Sequence, residues 1–112
     1  MARRTDASSF LPLTTAVLHI LLALVDGPRH GYGIAKEAAE RTHGEVKLGP
    51  GTLYGTLGRL VSAGLVSESD LEDETDTRRR FYEITALGRE AVTLEVRRLA
   101  EVVSAARAKA LL

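Results

Sequence analysis

The chain contains no cysteine and no tryptophan, only three tyrosines and two phenylalanines, and its fifteen basic and fifteen acidic side chains cancel. Without cysteine there is no disulfide scaffold, no thiolate zinc site and no thiol nucleophile, a composition that suits a reducing, cytoplasmic setting. Zero net charge removes any global electrostatic case for a nucleic-acid partner, so the local distribution of charge has to decide. Long apolar runs are missing too. The longest, Ala16–Val25, is interrupted by His19 and closed by Asp26, well short of the roughly 18 apolar residues that cross a bilayer. The basic start, Met1-Ala2-Arg3-Arg4, is followed by no small-residue cleavage site, and neither a secretory signal nor a membrane partner is expected.

What is present suffices for one domain: 112 residues, 45% hydrophobic and 27% charged, which excludes a disordered tail. Pro12 opens a first helix that Val17, Leu18, Leu21, Leu22, Leu24 and Val25 continue at helical spacing, and Asp26-Gly27-Pro28 stops it, placing it at about residues 12–26. His30-Gly31-Tyr32-Gly33 begins a second helix with Ile34, Ala35, Ala38 and Ala39 on its inner side, ending by Gly44. Pro50-Gly51-Thr52 begins a third over about 50–63, with Leu53, Leu57, Leu60 and Val61 inward and Gly64 as its stop. Leu65–Ser69 and Arg78–Ile84 read as two strands of a loose hairpin. A last helix starts at Thr85 and runs to the end, about 28 residues or ~42 Å at 1.5 Å per residue.

The predicted fold is therefore mainly α with a small two-stranded hairpin: a winged helix-turn-helix followed by a long C-terminal dimerisation helix. In this division residues 1–11 form a flexible N-terminal arm, 12–85 the DNA-binding unit and 86–112 the dimerisation helix.

The third helix carries most of the functional information. Once its leucines turn inward, Gly51, Thr52, Gly55, Gly58, Arg59 and Ser62 share the outer face, with Tyr54 on its flank. Interior helical glycine costs about 1 kcal/mol relative to alanine, so a bare stripe reads as a backbone meant to approach a groove or phosphate closely, with Thr52, Tyr54 and Arg59 as polar contacts. Arg78, Arg79 and Arg80 open the second hairpin strand, where alternation lets at most Arg78 and Arg80 face one phosphate wall. Six acids between Glu68 and Asp76 oppose that reading unless they point away or pair with the arginines.

The last helix repeats apolar residues at Val92, Val96, Leu99, Val103, Ala106 and Ala110, a seam that fits a partner helix. Other chemistries find little support. His19, His30 and His43, spaced by 11 and 13 residues, match no metal-ligand motif. No Gly-x-Ser-x-Gly elbow, phosphate loop or pair of carboxylates on an apolar background occurs, so neither an enzyme nor a cofactor is expected. The alternative to a DNA-binding regulator is a winged-helix module that binds another protein.

His30-Gly31-Tyr32-Gly33-Ile34, Pro50-Gly51-Thr52-Leu53-Tyr54, Leu57-Gly58-Arg59-Leu60, Gly64-Leu65-Val66 and Arg80-Phe81-Tyr82-Glu83-Ile84-Thr85 with Gly88-Arg89 occur in order over roughly residues 16–92. Together they resemble the PadR family of bacterial transcriptional regulators, in the short class with a single C-terminal helix. The resemblance implies a homodimer on a pseudo-palindromic operator, usually a repressor, often released from DNA by a small-molecule effector. It implies DNA contacts at Tyr32, Thr52, Tyr54, Arg59, Arg78 and Arg80, and extends them to Lys36 and Lys47 beside Gly51 and Gly55. It also implies a dimer interface along Val92, Val96, Leu99, Val103 and Ala106. Gly55 and Gly58 depart from the family pattern, which commonly has proline or alanine and a basic residue there. Sequence readout is therefore expected to lean on backbone approach, the Thr52 methyl group and DNA shape. Drug stacking on tryptophan, known in some relatives, has no residue to carry it here.

Overall fold

A computed structural model describes residues 6–72 and 80–112, with the side chains of Leu71 and Glu72 left aside. The elements are α1 (Thr15–Leu24), β1 (Arg29–His30), α2 (Gly31–Arg41), α3 (Pro50–Ala63), β2 (Val66–Glu72), β3 (Arg80–Ile84) and α4 (Ala86–Ala108), preceded by a 3-10 turn at Ala7–Phe10. Their order is that of a winged helix-turn-helix with one further helix.

Each helix begins where a side chain meets its free N–H groups. Thr14 Oγ1 accepts from Val17 N at 3.2 Å, so α1 starts at Thr15 and Pro12 lies ahead of it, after a cis Leu11–Pro12 bond. That is three residues later than Pro12 indicated, because the threonine cap fixes the start. His30 caps α2, its imidazole Nδ1 accepting from Gly33 N at 3.0 Å. Pro50 opens α3 as expected, and Gly64 closes it at φ 82°, where the left-handed backbone lets Leu65 N bond Leu60 O at 2.9 Å and Gly64 N bond Val61 O at 3.1 Å. Thr85 does double duty before α4: Oγ1 accepts from Gly88 N at 3.0 Å and donates to Gly64 O at 2.6 Å, tying the last helix to the end of α3.

The sheet has three strands, ordered β1-β3-β2 and antiparallel, rather than the two of a simple hairpin. The added strand is two residues long. Arg29 pairs with Tyr82 and His30 with Phe81, so the start of α2 is hydrogen-bonded to the wing. Between β2 and β3 the register runs from Val66↔Ile84 to Ser69↔Phe81 and then shifts.

Ile20, Leu21 and Leu24 of α1, Ile34 of α2, Leu57 of α3, Leu65, Val66 of β2 and Ala91 with Val92 of α4 form one buried core. Gly88 lets α4 approach: a Cβ there would collide with Leu65 O and stand 2.9 Å from Ile84 Cγ1. Residues 6–11, expected as part of a flexible arm, are docked instead. Ala7 is buried, the Leu13 N–H donates to Glu95 Oε2 at 2.6 Å, and Glu95, 1% exposed, is also hydrogen-bonded by Arg98 Nε. A buried carboxylate needs such partners, and here they fasten Leu13, just ahead of α1, to α4. Residues 1–5 of the arm lie outside the described residues. The last helix is 23 residues long, shorter than expected, and stops before Ala110, whose φ is 61°.

Candidate nucleic-acid interface

Helix α3 buries Leu53, Thr56, Leu57 and Leu60 and turns Gly51, Thr52, Tyr54, Gly55, Gly58, Arg59 and Ser62 outward. Val61, expected inward, is 36% exposed, because α3 packs along a narrower strip that includes Thr56. A Cβ added at Gly51 or Gly58 would meet nothing within 4 Å, and at Gly55 only Arg59 Nη1 at 3.9 Å. Among the described residues no packing therefore demands these glycines. The Arg59 guanidinium rests on Thr56 Oγ1 at 3.2 Å and stays exposed.

The two tyrosines stand at the junction of α2 and α3. Tyr54, 51% exposed, lies over Gly31, where a Cβ would be 2.6 Å from the phenol oxygen. Tyr32, 63% exposed, stacks on His30 with ring centroids 6.2 Å apart, and His30 meets Phe81 edge-on at 5.4 Å. This aromatic run joins the start of α2 to β3. Lys36 follows Tyr32 by one helical turn and lies 4.0 Å from Glu40. Lys47 is exposed on the segment leading into α3.

On the wing, Arg80 is exposed and pairs with Glu68 Oε2 at 2.9 Å. Arg78 lies outside the described residues. Beneath that pair Tyr82 is 6% exposed; burial pushes its hydroxyl pKa up, the Glu68 and Tyr54 charges add to the rise, and Arg80 opposes it. Glu68 thus links Arg80, its ion-pair partner, to Tyr82, which it faces across the β2–β3 ladder. Pairing of the wing acids with the arginines was one of the options the sequence left; that Glu68 takes Arg80 depends on hairpin register. The seating of Tyr54 on Gly31 likewise depends on how α2 crosses α3.

The predicted interface residues on α4 divide. Val92 is 3% exposed and belongs to the chain's own core, packed with Ala91 against α1 and the sheet, so it is corrected to a core residue. Beyond Glu95 the core ends, leaving Val96 and Val103 at 44% and 40% exposure, Val102 at 55%, and Leu99 and Ala106 partly open. Among the described residues no cluster of histidines and carboxylates is arranged to hold a metal, and no helix is long and apolar enough to cross a membrane.

The model of the Transcriptional regulator PadR-like family matches residues 18–94, from α1 into α4. The chain belongs to this family. PadR-like proteins are transcription regulators, not enzymes, and the winged helix-turn-helix seen here is their fold. Over 86 residues this PadR-like chain is 42% identical to transcriptional regulator Rv3488 of Mycobacterium tuberculosis, covering 76% of each. It is 41% identical over 87 residues to an uncharacterised 37.1 kDa protein in a Streptomyces fradiae transposon, 78% of this chain but 24% of that protein. The chain therefore spans about a quarter of that relative's length. Bacillus subtilis PadR, in a structure with operator DNA, superposes with a TM-score of 0.63 at 21% identity, covering 73% of this chain and 45% of that one. At that identity the likeness is one of fold.

Proposed function

We propose that this PadR-like regulator acts as a homodimer on a pseudo-palindromic operator and represses transcription, with a small-molecule effector releasing it from DNA. In this reading residues 12–85 serve as the DNA-binding unit and 86–112 as the dimerisation helix. The observation that carries the DNA part is the outer face of α3, bare of side chains at three glycines that no packing among the described residues requires and flanked by Thr52, Tyr54 and Arg59. Such a face admits close contact with a groove, and Tyr32, Lys36 and Lys47 lie on the elements beside it. The Bacillus operator complex supports the same placement by shared fold.

The dimer part is supported by Val96, Leu99, Val103 and Ala106, spaced 3, 4 and 3 along α4, of which the two valines are exposed and the other two half-buried. Two copies joined there would hold two α3 helices about one turn of duplex apart, ~34 Å. The effector is proposed on family likeness alone, and its chemistry is left open. Binding to fragments of the DNA that flanks the gene, followed by gel shift at low and moderate salt, tests the whole. A shift confined to particular fragments supports the reading. Absence of any shift, with a protein captured instead, favours a module for protein partners.

A further inference from the structure

Residues opposite one another in an antiparallel pair share a face of the sheet. Glu68 stands opposite Tyr82, and Arg80 precedes Tyr82 by two residues on β3, so all three share one face. There Arg80 Nη1 donates to Glu68 Oε2 at 2.9 Å, with both side chains more than half exposed. The pair lies on the β2–β3 hairpin, the wing of the winged helix-turn-helix. Arg80 is therefore exposed on the wing with a carboxylate already in hand.

A carboxylate and a phosphate ask the same of a guanidinium: two acceptor oxygens in the plane of the fork. We propose that Glu68 is an intramolecular competitor of the DNA backbone, holding Arg80 in the free protein and yielding it to a phosphate when the wing meets the duplex. The inference rests on the DNA-binding reading above. Exposed ion pairs are weak, so the hold is light enough to be exchanged and still subtracts from affinity. Once displaced, the Glu68 carboxylate is left beside the phosphate that took its place, which subtracts further. The wing thus contributes less than its arginine alone would, and loose binding to arbitrary DNA is restrained.

A double-mutant cycle tests this with the full chain, fluorescence anisotropy and a random-sequence duplex long enough for two half-sites, at several salt concentrations. Glu68→Gln is expected to tighten binding about two- to fivefold, the range an exposed pair allows. Glu83→Gln removes the same charge from the opposite face, where Ser67 is its partner, and should do less. In an Arg80→Ala background Glu68→Gln should do no more than Glu83→Gln. Equal tightening by Glu68→Gln with and without Arg80, or none when Arg80 is present, overturns the competition. If Arg80→Ala leaves affinity unchanged, the wing contact itself falls with it. If the unaltered chain binds no DNA at any salt, it is the DNA-binding reading that has failed.

Discussion

The phenol of Tyr54 occupies the space that a side chain at position 31 would need: a Cβ on Gly31 would stand 2.6 Å from its oxygen and 2.8 Å from Cζ. Residue 31 is the first of α2 and residue 54 lies in the first half of α3, so the absence of a side chain at one sets the direction of a side chain at the other. Gly31→Ala should turn Tyr54 out of place while leaving the core intact, because the displaced atoms are the far end of a half-exposed side chain. DNA affinity is expected to fall about tenfold, the equivalent of ~1.4 kcal/mol or one good hydrogen bond. Adding Tyr54→Ala to Gly31→Ala should cost little more. Titration of the two single variants and the double against one duplex checks it, and full additivity would show that the two positions act separately.

The glycine face of α3 makes stability and binding move in opposite directions. Gly58 is in the helix interior with open space around its missing Cβ. Gly58→Ala should therefore stabilise the fold by about 1 kcal/mol, raising the thermal midpoint by roughly 4–8 °C for a domain of this size. If the backbone here meets DNA closely, the same methyl group should weaken operator binding. A thermal melt and a binding isotherm on the same sample decide it. Stabilisation with unchanged binding would show that the stripe is an ordinary solvent face.

Much of this architecture was legible before any coordinates, and the parts that were not share a cause. Helix α3 was readable from end to end because Pro50, the leucine spacing and Gly64 are all local signals, and each acts within a turn of its own position. The outer face followed as the complement of the leucines. Strand β1 was not readable, since two residues have no alternation to detect and pair only because β3 runs beside them. No local signal marks Glu95 as buried; one of the partners that a buried carboxylate needs is Leu13, 82 residues away in sequence. Val92 continued the apolar seam in sequence, and only the closeness of α4 to α1 and the sheet, made by Gly88, removes it from the free face.

Acid should destabilise the protein in two stages. His19 is held below its ordinary value of 6.5, first by burial and then by the Arg41 guanidinium, whose Nη2 lies 3.2 Å from its Nδ1. A histidine lowered in the folded state binds its proton more readily when unfolded, so the stability it contributes is present above pH 6.5 and drains away as the pH falls below that. Glu95 is held below 4.5, chiefly by the hydrogen bond from Arg98 and against the pull of burial, with the Leu13 N–H also lowering it. Its contribution is present above pH 4.5 and is lost as the pH falls toward its folded value. Urea midpoints measured from pH 8 to pH 3 should drop in both windows. His19→Gln should flatten the upper one and leave the lower untouched. Glu95→Ala should lower stability at neutral pH by about 1–3 kcal/mol, since it strands the Leu13 N–H, and should flatten the lower window.

Val92 and Val96 lie one helical turn apart on α4 yet face different fates, and that contrast tests the proposed dimer. Val92 is 3% exposed and Val96 44%. A charge at Val92 would be buried without a partner, so Val92→Asp should prevent the single chain from folding, seen as loss of the helical signal and of a cooperative melt. Val96→Asp with Leu99→Asp places charges where the lone chain already meets solvent, so the helices and the melting transition of a folded domain should persist. If the seam from Val96 to Ala106 joins two copies, the same double change should halve the mass seen by light scattering. It should also weaken binding to a two-half-site operator far more than binding to a single half-site, because one reader is lost from each complex. A variant that folds and keeps the mass of the unaltered protein would locate the pairing surface elsewhere, and a protein that is a single chain before any change would leave α4 without the role proposed for it.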